Sequence, residues 1–272
     1  MIEANINGKS KTGKGCIGDA MYDGLVAQGY QAKIGVAGNF FRRVDRGTID
    51  RVLECKRNLN IMDDPTEVEP IVAGVLQDRI AYDDTYPWGD LQDPLVGNTV
   101  GKVARLKITQ AAGEEWYYES AMHALESGAD VYIVDGRNPR DRLAEFRART
   151  GTKTGLDLVL ECDVDVAAYR VLRGAGIEEP TPLQIEQQAK SIADRRTMDA
   201  NPLRPNAYID PDMYLSFVPG EIAPNEVVAY SFELYGERVP LPIRFDNTHV
   251  PKDLMEAEGQ ALARAAIGFL IE

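Results

Sequence analysis

The sequence opens on a short alternating stretch, Ile2 to Asn7, followed at once by Gly8-Lys9-Ser10-Lys11-Thr12-Gly13-Lys14-Gly15. The spacing G-x-x-x-x-G-K constrains the chain more than any other feature, because such a loop works only between a strand and a helix. Its backbone N–H groups can wrap a triphosphate while Lys14 reaches the outer phosphates. Ala4 and Ile6 alternate as a strand requires, and Cys16, Ile17, Ala20, Met21 and Leu25 recur at helical spacing. A helix starting here adds its partial positive charge to an anion site. The bare motif also arises by chance as a surface loop; the strand before it and the helix after it favour nucleotide binding. Gly8, Ser10, Lys11, Thr12, Gly13, Lys14, Gly15 and Cys16 are therefore the expected ATP-binding residues. Gly15 and Cys16 stand where a Walker-type loop usually has the Ser or Thr that meets the metal.

The rest of the chain alternates strands with helices. Gln31 to Val36 reads as a second strand and Asn39 to Leu53 as a helix. A further helix ends at Gln77, and residues Asp83 to Asp93 form a loop. Helices are expected from Pro94 to Gln110 and from Glu114 to Ser127, with Gly113 and Gly128 as punctuation. Val131-Tyr132-Ile133-Val134 is a continuous apolar run that suits a central parallel strand, ending in Asp135-Gly136-Arg137. Leu156 to Cys162 repeats the pattern. Helices follow at Asp165 to Gly174 and at Pro180 to Arg196, the latter with Thr181 as its cap. Tyr214 to Val218 and Val227 to Leu234 read as a hairpin, Ile243 to Phe245 as a last strand and Leu254 to Leu270 as a closing helix. The fold class expected is α/β, a doubly wound parallel sheet with ligands at the carboxyl ends of its strands. Charge placed there, as at Asp135 and Arg137, reads as functional even in isolation. Arg42 and Arg195, each among other charges, read equally as solvated helix faces.

The 272 residues carry a net charge of −13, which argues against a general nucleic-acid-binding surface. Cys16, Cys55 and Cys162 are scattered thiols without C-x-x-C spacing, so neither a disulfide framework nor a zinc site is expected. The start lacks the pattern of a signal peptide and no apolar run approaches a membrane span. A cytoplasmic protein without a membrane partner is the expectation. His123 and His249 are the only histidines, which disfavours Ser-His and Cys-His chemistry.

Several blocks resemble, in order, the bacterial cytidylate kinases among the P-loop nucleoside monophosphate kinases. Gly8 to Gly15 is similar to that family's G-P-S-G-S-G-K-G, including the lysine-glycine form, and Gly38 to Arg42 resembles G-A-M-Y-R. Leu91 to Ala104 is similar to L-R-T-P-E-V-G-N-A-V-S-K-V-A, the longest match. Val134 to Asn138 resembles V-D-G-R-D, Asp199 to Leu203 a shortened D-S-N-R-x-x-A-P-L, and Phe245 to Thr248 the I-D-T-T near the last strand. The resemblance implies one P-loop kinase domain over 1–272, with an acceptor-binding region at 36–110, a lid at 178–205 and an inserted hairpin at 206–242. It implies ATP as donor and Mg2+ as cofactor. Lys14 would hold the β- and γ-phosphates, and Asp135 would orient the magnesium shell. Arg42 and Arg137 would bind the acceptor phosphate, beside Gly38. Arg195 would be a lid arginine, Asp199 would hold the acceptor sugar, and Arg170 would approach ATP from the lid side.

The match breaks at the acceptor base. The family's serine, arginine and aspartate that recognise cytosine fall at Gly101, Gln110 and Asn138. An asparagine amide both donates and accepts where a carboxylate only accepts, so base preference is expected to differ. The segment 139–155 is longer than the family pattern and basic, and the 206–242 insertion is rich in aromatics. These insertions read either as contacts to a larger acceptor, with nucleic acid possible only as a substrate, or as ordinary packing. The activity expected is phosphoryl transfer to a nucleotide with altered base specificity. The alternative is transfer to a hydroxyl of a modified base in DNA or of another small molecule.

Overall fold

In a computed structural model, residues 1–83, 89–91, 93–137, 139–199, 215–217, 231–234, 237–240, 243–250, 257 and 259–262 are described. Strand β1 (Ile2–Gly8) is buried along most of its length, and its alternation sends Ile2, Ala4 and Ile6 to one face and Glu3 and Asn5 to the other. Helix α1 (Lys14–Ala27) follows the loop and buries Ile17, Met21 and Leu25 at i, i+4 and i+8. β2 (Ala32–Val36) runs without a break into α2 (Ala37–Glu54).

After α2 come α3 (Pro65–Gln77), α4 (Pro94–Val103) and α5 (Lys107–Glu126). Then follow β3 (Val131–Gly136), two short helices α6 (Pro139–Arg142) and α7 (Ala144–Thr150), and β4 (Lys153–Glu161). Next are α8 (Val164–Gly174), α9 (Pro182–Asp199), β5 (Leu215–Phe217), β6 (Ser231–Leu234), β7 (Glu237–Pro240) and β8 (Ile243–Asp246). The main sheet runs β2-β3-β1-β4-β8-β5, and β6 with β7 makes a separate two-stranded sheet. The pairs β1–β3, β1–β4, β4–β8 and β5–β8 are all parallel. The expected parallel α/β architecture is present and is compatible with a P-loop-type fold.

The chain divides into two compact units, Met1–Gly35 with Ala121–Glu272, and Val36–Ser120. The first is built on one face of the sheet, where Ala4, Ile6, Ile133, Leu156, Leu158 and Phe245 pack with Ile17, Met21 and Leu25. Each such side chain contributes roughly 1.5–3 kcal/mol by leaving water. On the opposite face α7 is anchored by an ion pair from Arg147 to the wholly buried Glu3. The second unit is centred on Phe40, stacked on Trp116 at 5.8 Å and edge-on to Tyr82 at 5.1 Å. Two of its helices, α3 and α4, start on side-chain caps that the sequence carries openly. Asp64 and Asp93, each before a proline, accept from the N–H groups of Thr66 and Leu95.

Three expectations need correction. The helix from Pro94 to Gln110 breaks at 104–106, and the next begins at Lys107, so Gly113 lies inside α5 rather than ending a helix. An added Cβ at Gly113 would stand 2.9 Å from the Phe41 ring, so this glycine serves close packing. The hairpin is also redistributed. β5 joins the main sheet beside β8, and the antiparallel pair is β6 with β7. Of the expected closing helix, 257 and 259–262 are described and are helical. Among the described residues no helix is long and apolar enough to cross a membrane.

Candidate functional site

The loop after β1 lies at the carboxyl end of the parallel strands, where open α/β sheets place their ligands. Gly8 has no room for a side chain, since an added Cβ would sit 2.7 Å from the Leu160 carbonyl oxygen. Lys11 and Gly13 both have positive φ, 63° and 89°, which coils the loop. Gly13 is the N-cap of α1 and offers no capping side chain. The helix start is therefore not closed by its own N-cap side chain, an arrangement suited to an anion site. Thr12 is buried, with its hydroxyl donating to the Lys9 carbonyl at 3.0 Å. Lys14 Nζ donates to the same carbonyl at 3.1 Å and stands 3.9 Å from the Asp135 carboxylate. Gly15 is exposed, and Cys16 packs partly against the core below.

Asp135 ends β3 and pairs in register with Ile6, two residues before the glycine that opens the loop. It is 8 % exposed, a carboxylate kept at the rim. Arg137 follows, half-buried, and its carbonyl accepts from Arg142 Nε at 3.0 Å. Asn138 lies outside the described residues. Arg195 is half-buried on α9; of Asp199 only the helical backbone is described.

Two arginines, Arg170 and Arg196, meet backbone partners distant in sequence. Arg170 donates to the carbonyls of Asn247 and Val250, both at 2.8 Å, and to Asn247 Oδ1 at 3.2 Å. Its guanidinium therefore fastens the turn after β8. The α9 arginine that meets the loop is Arg196, whose Nε donates to the Ser10 carbonyl at 3.1 Å. Helical spacing alone does not say which of the two adjacent arginines, Arg195 or Arg196, reaches the loop. Asn247 was missed as a site residue. It is fully buried and its side-chain amide donates to the Thr12 carbonyl.

The second unit holds Gly38, Arg42, Gly101 and Gln110. Arg42 folds back along α2, donating to Asn39 Oδ1 at 3.2 Å, with Gly38 beside its guanidinium. The helix has no side-chain cap at its N-terminus, so a cation lies beside a helix start that its own N-cap does not close, a pairing suited to phosphate. The stretch around Arg42 is not a solvated face. Arg43 is buried and donates to the Ala81 carbonyl, and the buried Asp45 accepts from Thr99. Gly101 leaves open space where a side chain would stand. Gln110 closes the corner between α4 and α5 by donating to the Ala104 carbonyl.

In the basic insertion Arg147 meets Glu3 and Arg142 meets the Arg137 carbonyl, while Arg149 pairs with Glu145 at the exposed surface of its own helix. Among the described residues no group of three or more His, Cys, Asp or Glu side chains forms a metal cage. No protein-family model matches the chain, and no curated protein matches it.

Proposed function

We propose that this chain is an ATP- and magnesium-dependent phosphotransferase acting on a nucleotide-like acceptor. One observation carries the reading: a coiled glycine loop between β1 and α1, with Lys14 placed 3.9 Å from a carboxylate at the end of the neighbouring strand. Phosphoryl transfer asks a protein mainly for positioning and for cations against the equatorial oxygens, with little acid or base chemistry. Lys14 and the loop amides suit the donor phosphates, and Arg137 and Arg195 are the cations assigned to the transfer itself. Arg42 with Gly38, and Asp199, are assigned to the acceptor's phosphate and sugar on the family resemblance.

Magnesium fits the donor set in a limited way. It prefers oxygen ligands, keeps several waters and is bound chiefly by phosphates in such sites. Asp135 supplies the protein oxygen, directly or through water. The Cys16 thiol, where Ser or Thr is usual, is a poor ligand for so hard a cation. When bound, the ion would neutralise charge on the β- and γ-phosphates.

Gly101, Gln110 and Asn138 replace the residues that read cytosine in the resembling family, so an acceptor with another base edge is proposed. The inward engagement of Arg147 and Arg142, with the net charge of −13, favours a small nucleotide over nucleic acid. A cytoplasmic setting fits the scattered thiols. The test is ADP release with CMP, dCMP, UMP, dUMP, dTMP and 5-substituted analogues, in parallel with labelled γ-phosphate transfer to modified DNA. Lys14-dependent turnover on a mononucleotide supports the reading. Transfer to DNA alone would replace the acceptor class, and silence in every arm would overturn the kinase assignment.

A further inference from the structure

An anion loop works when its N–H groups point inward, which requires its carbonyls to be held outward. Here three of those carbonyls accept from side chains. Lys9 accepts from Thr12 and Lys14, both inside the motif. Ser10 accepts from Arg196 at 3.1 Å, and Thr12 accepts from the Asn247 amide. The last two donors come from far along the chain, on α9 and in the turn after β8.

The two carbonyls held from far along the chain each immediately precede a residue with positive φ, Ser10 before Lys11 and Thr12 before Gly13. The left-handed conformation is unfavourable for a lysine, so the peptide plane before it must be fixed from outside. Arg196 does this while donating from Nη1 to the Cys162 carbonyl at 3.0 Å, which ties Ser10 to the residue just after β4. Asn247 is itself held from both sides. Arg170 donates to its Oδ1, and its backbone N–H donates to the Glu161 carbonyl at 3.0 Å. A guanidinium only donates and a carbonyl only accepts, so the Asn247 amide has one orientation, with Nδ2 toward Thr12.

We propose that Asn247 and Arg196 are positioning residues of the phosphate loop, holding the Thr12 and Ser10 carbonyls outward so that the loop amides stay aimed at the ligand. Arg170 acts through Asn247. The inference rests on reading the loop as a phosphate site, and its test separates the two.

The probe is inorganic tripolyphosphate, titrated calorimetrically into wild-type chain, Lys14→Ala, Asn247→Asp, Arg196→Gln and Arg196→Lys. Asn247→Asp keeps the acceptor for Arg170 but loses the donor to Thr12. It is expected to weaken binding about tenfold, the scale of one lost hydrogen bond, measured at a temperature below the variant's own melting midpoint. Its deficit relative to wild type shrinks as pH falls through the new carboxyl's titration, since the protonated acid donates again. Arg196→Gln loses a similar factor, and Arg196→Lys recovers part of it. Should Asn247→Asp not fold, the two Arg196 variants carry the test. Binding within twofold of wild type in the folded variants, with Lys14→Ala impaired, overturns the positioning role alone. No tripolyphosphate binding by the wild-type chain overturns the phosphate reading and the proposal with it.

Discussion

Arg147 of α7 brings a guanidinium nitrogen to 2.6 Å from the carboxylate of Glu3, a side chain with no exposed surface in the middle of the sheet. The inserted helix is thereby fixed to the strand that leads into the loop. Removing one partner of such a pair costs more than replacing both, because it leaves a buried charge alone. Arg147→Met is expected to destabilise the chain by roughly 3 kcal/mol, and Arg147→Met with Glu3→Leu by much less. Urea unfolding of the single and double variants checks this.

The same carboxylate sets a pH dependence. Burial pushes Glu3 up to about 7 from 4.5, although Arg147 pulls it back. In the second unit, burial likewise raises Asp45 to about 7 from 3.8, against the hydrogen bond from Thr99. Between those values the folded chain binds more protons than the unfolded one, so these groups make stability fall as pH rises toward 7. Their contribution is complete below the unfolded values and lost above the folded ones. Glu3→Gln is expected to flatten part of the slope. Melting midpoints at half-unit steps from pH 4.5 to 8 measure it; an unaltered slope would contradict the assignment.

Lys14→Ala is expected to reduce turnover by about 100-fold or more, the usual scale for removing a group that stabilises transferring charge. The melting midpoint without nucleotide should shift little, since Lys14 belongs to no apolar cluster of the core. Steady-state ADP release together with calorimetric melting separates these two effects.

Gly8→Ala tests the geometry of the loop. Its Cβ would lie 2.7 Å from the Leu160 carbonyl and 2.8 Å from the Thr12 hydroxyl. Neither can retreat without moving β4 or the loop, so a loss of roughly 2–4 kcal/mol is expected. A variant as stable as wild type would show that the loop yields easily.

Asn138→Asp is expected to shift base preference toward cytosine by restoring a carboxylate that accepts from an exocyclic amine. The ratio of kcat/KM for CMP to that for the preferred acceptor is the readout. An unchanged ratio would remove Asn138 from the base pocket.

Much of the parallel sheet was legible because its signals are local. The apolar run at Val131, the Asp93-Pro94 start of α4 and the Thr181 cap with its reciprocal Gln184 contacts all stand where the pattern puts them. The loop was legible for the same reason. What was illegible depended on partners distant in sequence. Gly113 reads as a helix stop until Phe41 is seen against it, and β5 reads as half of a hairpin until β8 is found beside it. Arg196 belongs to no motif spacing, and the block Phe245 to Thr248 does not say what Asn247 meets, since the partners of both are backbone carbonyls, which carry no sequence signature.

The placement of Asn247 against Thr12 has a consequence for how the protein is made. The ribosome delivers the loop strand first, yet β3 and β4, between which it pairs, emerge only from Val131 and Lys153 onward. The amide that steadies the loop comes later still, after the final strand of the main sheet has left the exit tunnel. Until Asn247 has been added, a nascent chain therefore carries its most diagnostic segment without the contact that joins it to Thr12, 235 residues earlier. If the loop holds phosphate as proposed, capture waits for residue 247, and a chain cut before it would keep the motif while losing the Thr12 contact.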